Sequence, residues 1–178
     1  IGHTRWATHG APNETNAHPH TDPSGTVFLI HNGIIENYAE LKARLSKEGA
    51  VFKSETDTEV LAALIGSHYA PGVTLEEAIR KALLEVRGTY GLAAMSAREP
   101  GKIVAARQSS PVMLGIGADE YYVASDATPI LGHTREVIYL DDGEIATLTP
   151  EGYDIMTLSQ EARDKKVETL EWDVESAQ

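Results

Sequence analysis

Residues 26–37 read Thr26-Val27-Phe28-Leu29-Ile30-His31-Asn32-Gly33-Ile34-Ile35-Glu36-Asn37. The first six form an apolar β-type run, and Asn32-Gly33 takes up positive φ easily, so the sequence predicts a strand that ends or turns at Asn-Gly. Upstream, Ala11 to Gly25 holds three Pro, two Asn and two His but only two Ala. That stretch reads as a polar loop.

Downstream the period lengthens. Asn37 with Glu40 has N-cap spacing, Tyr38, Leu41 and Leu45 share one helical face, and Gly49 supplies a stop, which predicts a helix over 38–48. Thr56 with Glu59 and Thr74 with Glu77 repeat the signal ahead of two more amphipathic helices, the second ending near Gly88. From Thr89 the pattern changes again. Segments 90–97, 102–107, 112–116, 121–125, 137–140, 144–148 and 154–158 read as short strands of an antiparallel meander, separated by turns such as Asp142-Gly143. Helices grouped ahead of hairpin-linked strands argue for an α+β domain, because a parallel fold would interleave the two.

Composition narrows the function classes. Fifteen Lys and Arg against twenty-seven Asp and Glu give 178 residues a net charge of −12, which repels nucleic acid and anionic membranes. The apolar stretches, such as Val60 to Ile65, are far shorter than the roughly 18 residues of a membrane span. With no cysteine there is neither a disulfide framework nor a thiolate metal site, and with no secretory signal the default address is cytoplasmic.

Five of the seven histidines, His3, His9, His18, His20 and His31, lie in the first 31 residues. His18-Pro19-His20 invites a metal reading, but a same-strand His pair needs a third ligand, and no acidic residue stands at tight spacing among them. No metal is expected. Gly115-Ile116-Gly117 lacks the third glycine and the following helix of a dinucleotide loop, so it reads as a hairpin turn. No Gly-x-Ser-x-Gly elbow occurs, which leaves serine hydrolysis unsupported.

The informative segments are Arg5-Trp6-Ala7-Thr8-His9-Gly10, Asn16-Ala17-His18-Pro19-His20, His31 to Asn37 and Ser54-Glu55-Thr56-Asp57-Thr58-Glu59. In this order they closely resemble the glutaminase domains of the glutamine–fructose-6-phosphate aminotransferases, or glucosamine-6-phosphate synthases. Those are class II glutamine amidotransferases of the N-terminal-nucleophile fold. The likeness runs through nearly the whole chain, including Ala124-Ser125-Asp126 and the Trp172-Asp173 tail. It implies a four-layer αββα sandwich with antiparallel sheets, lacking its N-terminal segment, over residues 1–160. A tail over 161–178 would lead toward a sugar-isomerase domain.

The resemblance also implies roles. Arg5 would capture the glutamine α-carboxylate with its planar guanidinium. Asp57, at the start of the helix capped by Thr56, would hold the α-ammonium. Asn32 and Gly33 would form the oxyanion hole, the Asn side-chain amide and the Gly N–H donating to the oxygen that becomes negative during attack. Thr8 and His9 belong to the loop that holds the substrate, Trp6 resembles an ammonia gate, and His18 and His31 would support the site from behind.

Two positions depart from the family pattern. The family nucleophile is an N-terminal cysteine, whereas this chain has Ile1 first and no Cys, so the chain alone is expected to be inactive. Ser109 stands where the family commonly has Gly before Ser-Pro. The expected partners are glutamine, and fructose 6-phosphate at the absent isomerase domain, in a homodimeric complete enzyme without a cofactor. Alternatives are another class II enzyme, such as an amidophosphoribosyltransferase, or a non-catalytic glutamine-binding module.

Overall fold

The apolar run at Val27 becomes a nine-residue strand. In the computed structural model, which describes residues 1–4 and 10–171, β1 is His20–Thr21 and β2 is Val27–Ile35. Three helices follow, α1 (Tyr38–Lys47), α2 (Asp57–His68) and α3 (Leu75–Leu83). Seven further strands are β3 (Gly88–Ser96), β4 (Ile103–Gln108), β5 (Met113–Ile116), β6 (Tyr121–Ala124), β7 (Glu136–Tyr139), β8 (Glu144–Thr149) and β9 (Gly152–Thr157). The short β10 (Glu168–Thr169) completes the second sheet.

Every strand pair within the sheets is antiparallel, in orders β1-β2-β3-β4-β8-β9 and β10-β7-β5-β6. The strands predicted after residue 88 all form, but not as one meander. The chain leaves β4, builds β5 to β7 in the second sheet and returns to β8 in the first. Gly115 and Ile116 lie in β5, paired with Tyr122 and Tyr121, and only Gly117 opens the hairpin turn, its N–H donating to Glu120 O.

Three buried apolar clusters mark the interfaces between four layers. Leu29, Ile35, Leu92 and Val104 face the helices. Ala105, Ala146 and Leu148 of the first sheet meet Leu114 and Ile138 of the second. Beyond the second sheet, Met113 and Val137 are covered by Ala127, Ile130 and Leu131, so among the described residues the outermost layer is a turn-rich strap rather than a helix. Helix α2 is the central helix, with Val60, Leu61, Leu64 and Ile65 fully buried. Such all-round apolar character is what burial between neighbouring layers requires.

Asn32-Gly33 is not a turn. It lies inside β2, paired with Gly91 and Tyr90 of β3. The local preference for positive φ is met at Gly33, with φ +125°, but nine consecutive cross-strand partners carry the chain straight through. Tertiary pairing overrides the dipeptide's turn tendency.

The three helix starts differ in chemistry. Thr56 Oγ1 caps α2 by accepting Glu59 N–H at 3.2 Å, while Glu59 accepts Ser54 N–H at 2.6 Å. Asn37 makes no cap hydrogen bond. Its side chain donates to Glu85 O and accepts from Arg87 N–H, both at 2.9 Å, and ties α1 to the loop after α3. Thr74 makes no cap hydrogen bond either, and the first N–H of α3, from Leu75, donates to Glu99 Oε1 at 2.7 Å. Helix α3 stops at Leu83, short of Gly88, and the Asn37 bridge holds Glu85 and Arg87 beside the start of α1.

Candidate active site

Strand alternation sends His31 and Asn32 to opposite faces of β2. His31 points to the helix side and is buried, whereas Asn32 is exposed on the other face. Between β2 and β3 the backbones approach closely at Gly33. A Cβ there would stand 2.2 Å from Thr89 O, so no other residue fits without displacing the backbone. Beside it, Ile34 N–H donates to Thr89 Oγ1 at 3.1 Å.

On the Asn32 face a cavity of about 410 Å³ opens between the sheets, with His3, Asn32, Tyr122, Ser125 and His133 in its wall. His3 Nε2 lies 2.6 Å from Asn32 Oδ1. An amide oxygen only accepts, so His3 donates, leaving the Asn32 NH₂ as the donor end of that amide. Gly91, opposite Asn32, has no Cβ to push away Pro111 and Val112, which also line the cavity.

On the helix side the first turn of α2 grips β2. Asp57 is 3% exposed and accepts Ile35 N–H at 2.8 Å through Oδ2, with the positive end of the helix dipole favouring its charge. It is not among the residues lining the cavity. Thr58 Oγ1 lies 3.0 Å from His31 Nδ1 and 3.1 Å from His18 Nε2. His31 Nε2 lies 3.3 Å from Thr89 O. The histidines also stack, His3 on His18 at 4.2 Å between ring centroids and His18 edge-on to His20 at 5.0 Å. His20 Nε2 reaches the capping hydroxyl of Thr56 at 3.0 Å.

The polar loop is pinned to the same region. Asn16, 1% exposed, donates to Ala11 O and Glu55 Oε2 and accepts Glu55 N–H at 3.0 Å. Tyr90, paired with Gly33, is pushed up to about 12 by burial and then by Asp142, so its phenol stays protonated at neutral pH. Among the described residues no group of three or more His, Asp or Glu is arranged to hold a metal ion, and no helix is long and apolar enough to cross a membrane.

The structure thus gathers His18, His31, Asn32, Gly33 and Asp57 around β2 and the start of α2. Arg5, Trp6, Thr8 and His9 lie outside the described residues. Sequence reasoning missed Thr58, Thr89 and the contact of His3 with Asn32. Thr58 sits one residue beyond Asp57, but nothing in its spacing shows that its hydroxyl lies between two histidines.

The profile of the family described as "Glutamine amidotransferase domain" matches residues 3–132. The chain belongs to this family. The chain is 49% identical over 180 aligned positions to glutamine–fructose-6-phosphate aminotransferase (isomerizing) of Methanothermobacter thermautotrophicus, covering all of this chain and 30% of that protein. The protein of the same name from Aquifex aeolicus is 48% identical, with the same two coverages. The chain therefore spans about 30% of the length of these curated relatives. Among solved structures, the glutamine phosphoribosylpyrophosphate amidotransferase from B. subtilis superposes with a TM-score of 0.73 at 28% identity, over 90% of this chain and 35% of that one.

Proposed function

We propose that this domain is the glutaminase part of an enzyme that converts glutamine and fructose 6-phosphate to glutamate and glucosamine 6-phosphate. The observation that carries the reading is the 49% identity, along the whole chain, to a relative of that name, against 28% to the phosphoribosylpyrophosphate enzyme. In this reading the Asn32 NH₂ and the Gly33 N–H donate to the developing oxyanion, a role suited to donors fixed in a strand. Asp57 holds the glutamine α-ammonium and Arg5 its α-carboxylate, while Thr8 and His9 close over the substrate. Trp6 gates ammonia, and His18 and His31 support the oxyanion strand. Attack on the amide needs a thiolate, and no cysteine is among these 178 residues.

The test is to incubate the full-length protein with glutamine and fructose 6-phosphate and to quantify glutamate and amino sugar together. Equimolar glucosamine 6-phosphate and glutamate are expected. Glutamate formation that responds to phosphoribosylpyrophosphate and not to the sugar phosphate would overturn the choice of acceptor. The 178-residue chain alone is expected to release no glutamate above a buffer blank.

A further inference from the structure

The buried Thr58 hydroxyl is shared by two imidazoles, and the chemistry of its neighbours fixes which way each hydrogen bond runs. His31 Nε2 faces Thr89 O at 3.3 Å. A carbonyl only accepts, so the Nε2 carries the proton, and in the neutral ring Nδ1 is left as an acceptor. The Thr58 hydroxyl, 3.0 Å away, then donates to His31 Nδ1. A hydroxyl has one proton, so its oxygen must accept from the other neighbour, His18 Nε2–H at 3.1 Å. The bonds therefore run in one direction: His18 Nε2–H to Thr58, Thr58 O–H to His31 Nδ1, His31 Nε2–H to Thr89 O.

The place of this chain in the fold gives it consequence. Thr89 O is the atom against which Gly33 is packed, and Thr89 Oγ1 accepts Ile34 N–H. The neighbouring Asp57 holds Ile35 N–H. Two successive residues of the first turn of α2 thus fasten β2 on both sides of Asn32-Gly33, Thr58 through the His31 ring and Asp57 through the backbone. Thr58 is 2% exposed, so neither water nor another rotamer replaces its hydroxyl at little cost.

We propose that Thr58 is a positioning residue for the oxyanion donors: its hydroxyl sets the tautomers of His18 and His31 and so keeps β2 seated against Thr89 at Asn32-Gly33. It touches no reacting atom in this role. The effect on turnover rests on the glutaminase reading given above, whereas the direction of the hydrogen bonds does not.

The experiment compares Thr58→Ser, Thr58→Val and Thr58→Ala with the parent protein in two measurements. Steady-state glutaminase kinetics of the full-length protein should show the serine variant within about threefold of the parent. The valine and alanine variants should lose about tenfold or more in kcat, with KM for glutamine little changed, as expected when loss of a buried hydroxyl leaves the His31 Nδ1 acceptor and the His18 Nε2–H donor unpaired. Long-range ¹H–¹⁵N spectra of ¹⁵N-histidine-labelled protein should show His18 and His31 as Nε2–H tautomers in the parent and the serine variant. In the valine variant His18 should lose that single tautomer. If the valine variant does not fold, the serine–alanine pair decides in the same way. Valine equal to the parent in both measurements would overturn the proposal, as would serine impaired as severely as valine, because serine keeps the hydroxyl to which the effect is assigned. If the parent full-length protein turns over no glutamine, the glutaminase reading fails, while an Nδ1–H tautomer at His31 or His18 in the parent would by itself overturn the hydrogen-bond assignment.

Discussion

Gly33 and Thr89 approach so closely that a Cβ on the glycine would stand 2.2 Å from the threonine carbonyl oxygen, and the glycine φ is +125°. Both facts oppose any side chain. Gly33→Ala is expected to cost about 2–4 kcal/mol, because the clash is with backbone and the conformation is one that L-residues avoid. For a domain of this size that lowers Tm by roughly 5–15 °C, measurable by calorimetry. A Tm within about 1 °C of the parent would mean that β2 and β3 separate at little cost.

Ser109 supplies the converse case. It holds φ +61°, a left-handed conformation that costs a residue with a Cβ, and its N–H donates to Asp142 Oδ1 at 2.8 Å. Ser109→Gly keeps that backbone donor and relieves the strain, though glycine adds freedom to the unfolded chain. A net gain of about 0.5–1 kcal/mol is expected from chemical denaturation. A loss of stability would mean that the weaker contact of Ser109 Oγ to Asp142 Oδ2, at 3.4 Å, outweighs the strain.

Acid should loosen the helix layer through Glu99. Burial pushes its carboxyl up, but Lys102, the Tyr69 hydroxyl and Leu75 N–H outweigh burial and hold it below the ordinary 4.5. A carboxyl whose pKa is depressed by folding contributes stability that is fully present above 4.5 and is lost as pH falls through the lowered folded value. Glu99→Gln removes this contribution, so its stability should fall less steeply than the parent's below that pH. Parallel acid limbs in denaturation curves recorded across that range would assign the linkage elsewhere.

Asp57 has two expected effects that separate by substitution. In the full-length protein Asp57→Ala should raise the KM for glutamine far more than it lowers kcat, since an α-ammonium partner acts equally on ground and transition states. It should also cost about 1–3 kcal/mol of stability, because Ile35 N–H loses its acceptor at 2.8 Å. Asp57→Asn keeps an acceptor oxygen and should recover much of the stability but not the KM. Equal recovery of both would reduce Asp57 to a structural cap.

Much of this is legible in the sequence alone. Periodicity located the helices and strands because each buries one regular face, and Thr56 with Glu59 announced the one helix start whose cap forms as its spacing implies. The signature residues pointed to Asn32-Gly33 and Asp57. What failed was local grammar overruled by distant partners. Asn-Gly reads as a turn until β3 pairs across it, and Thr74 reads as a cap, yet it is Glu99, 24 residues beyond Leu75, that accepts the first N–H of α3. The Thr58 hydroxyl was illegible for the same reason, since its partners lie 40 and 27 positions away. Ser109 was noticed only as a departure from a family glycine, and its positive φ gives that departure a physical meaning.

In the proposed glutaminase reading, Asn32 presents its amide to the oxyanion of glutamine hydrolysis from a strand fixed by its neighbours. The decisive measurement of that role is the glutaminase kinetics of full-length Asn32→Ala. Asn32 is exposed and pairs with Gly91 through the backbone, so the substitution should leave the fold intact. A fall in kcat of about 10²–10³ with KM for glutamine little changed is expected. A correctly folded variant with kcat within about twofold of the parent would contradict it.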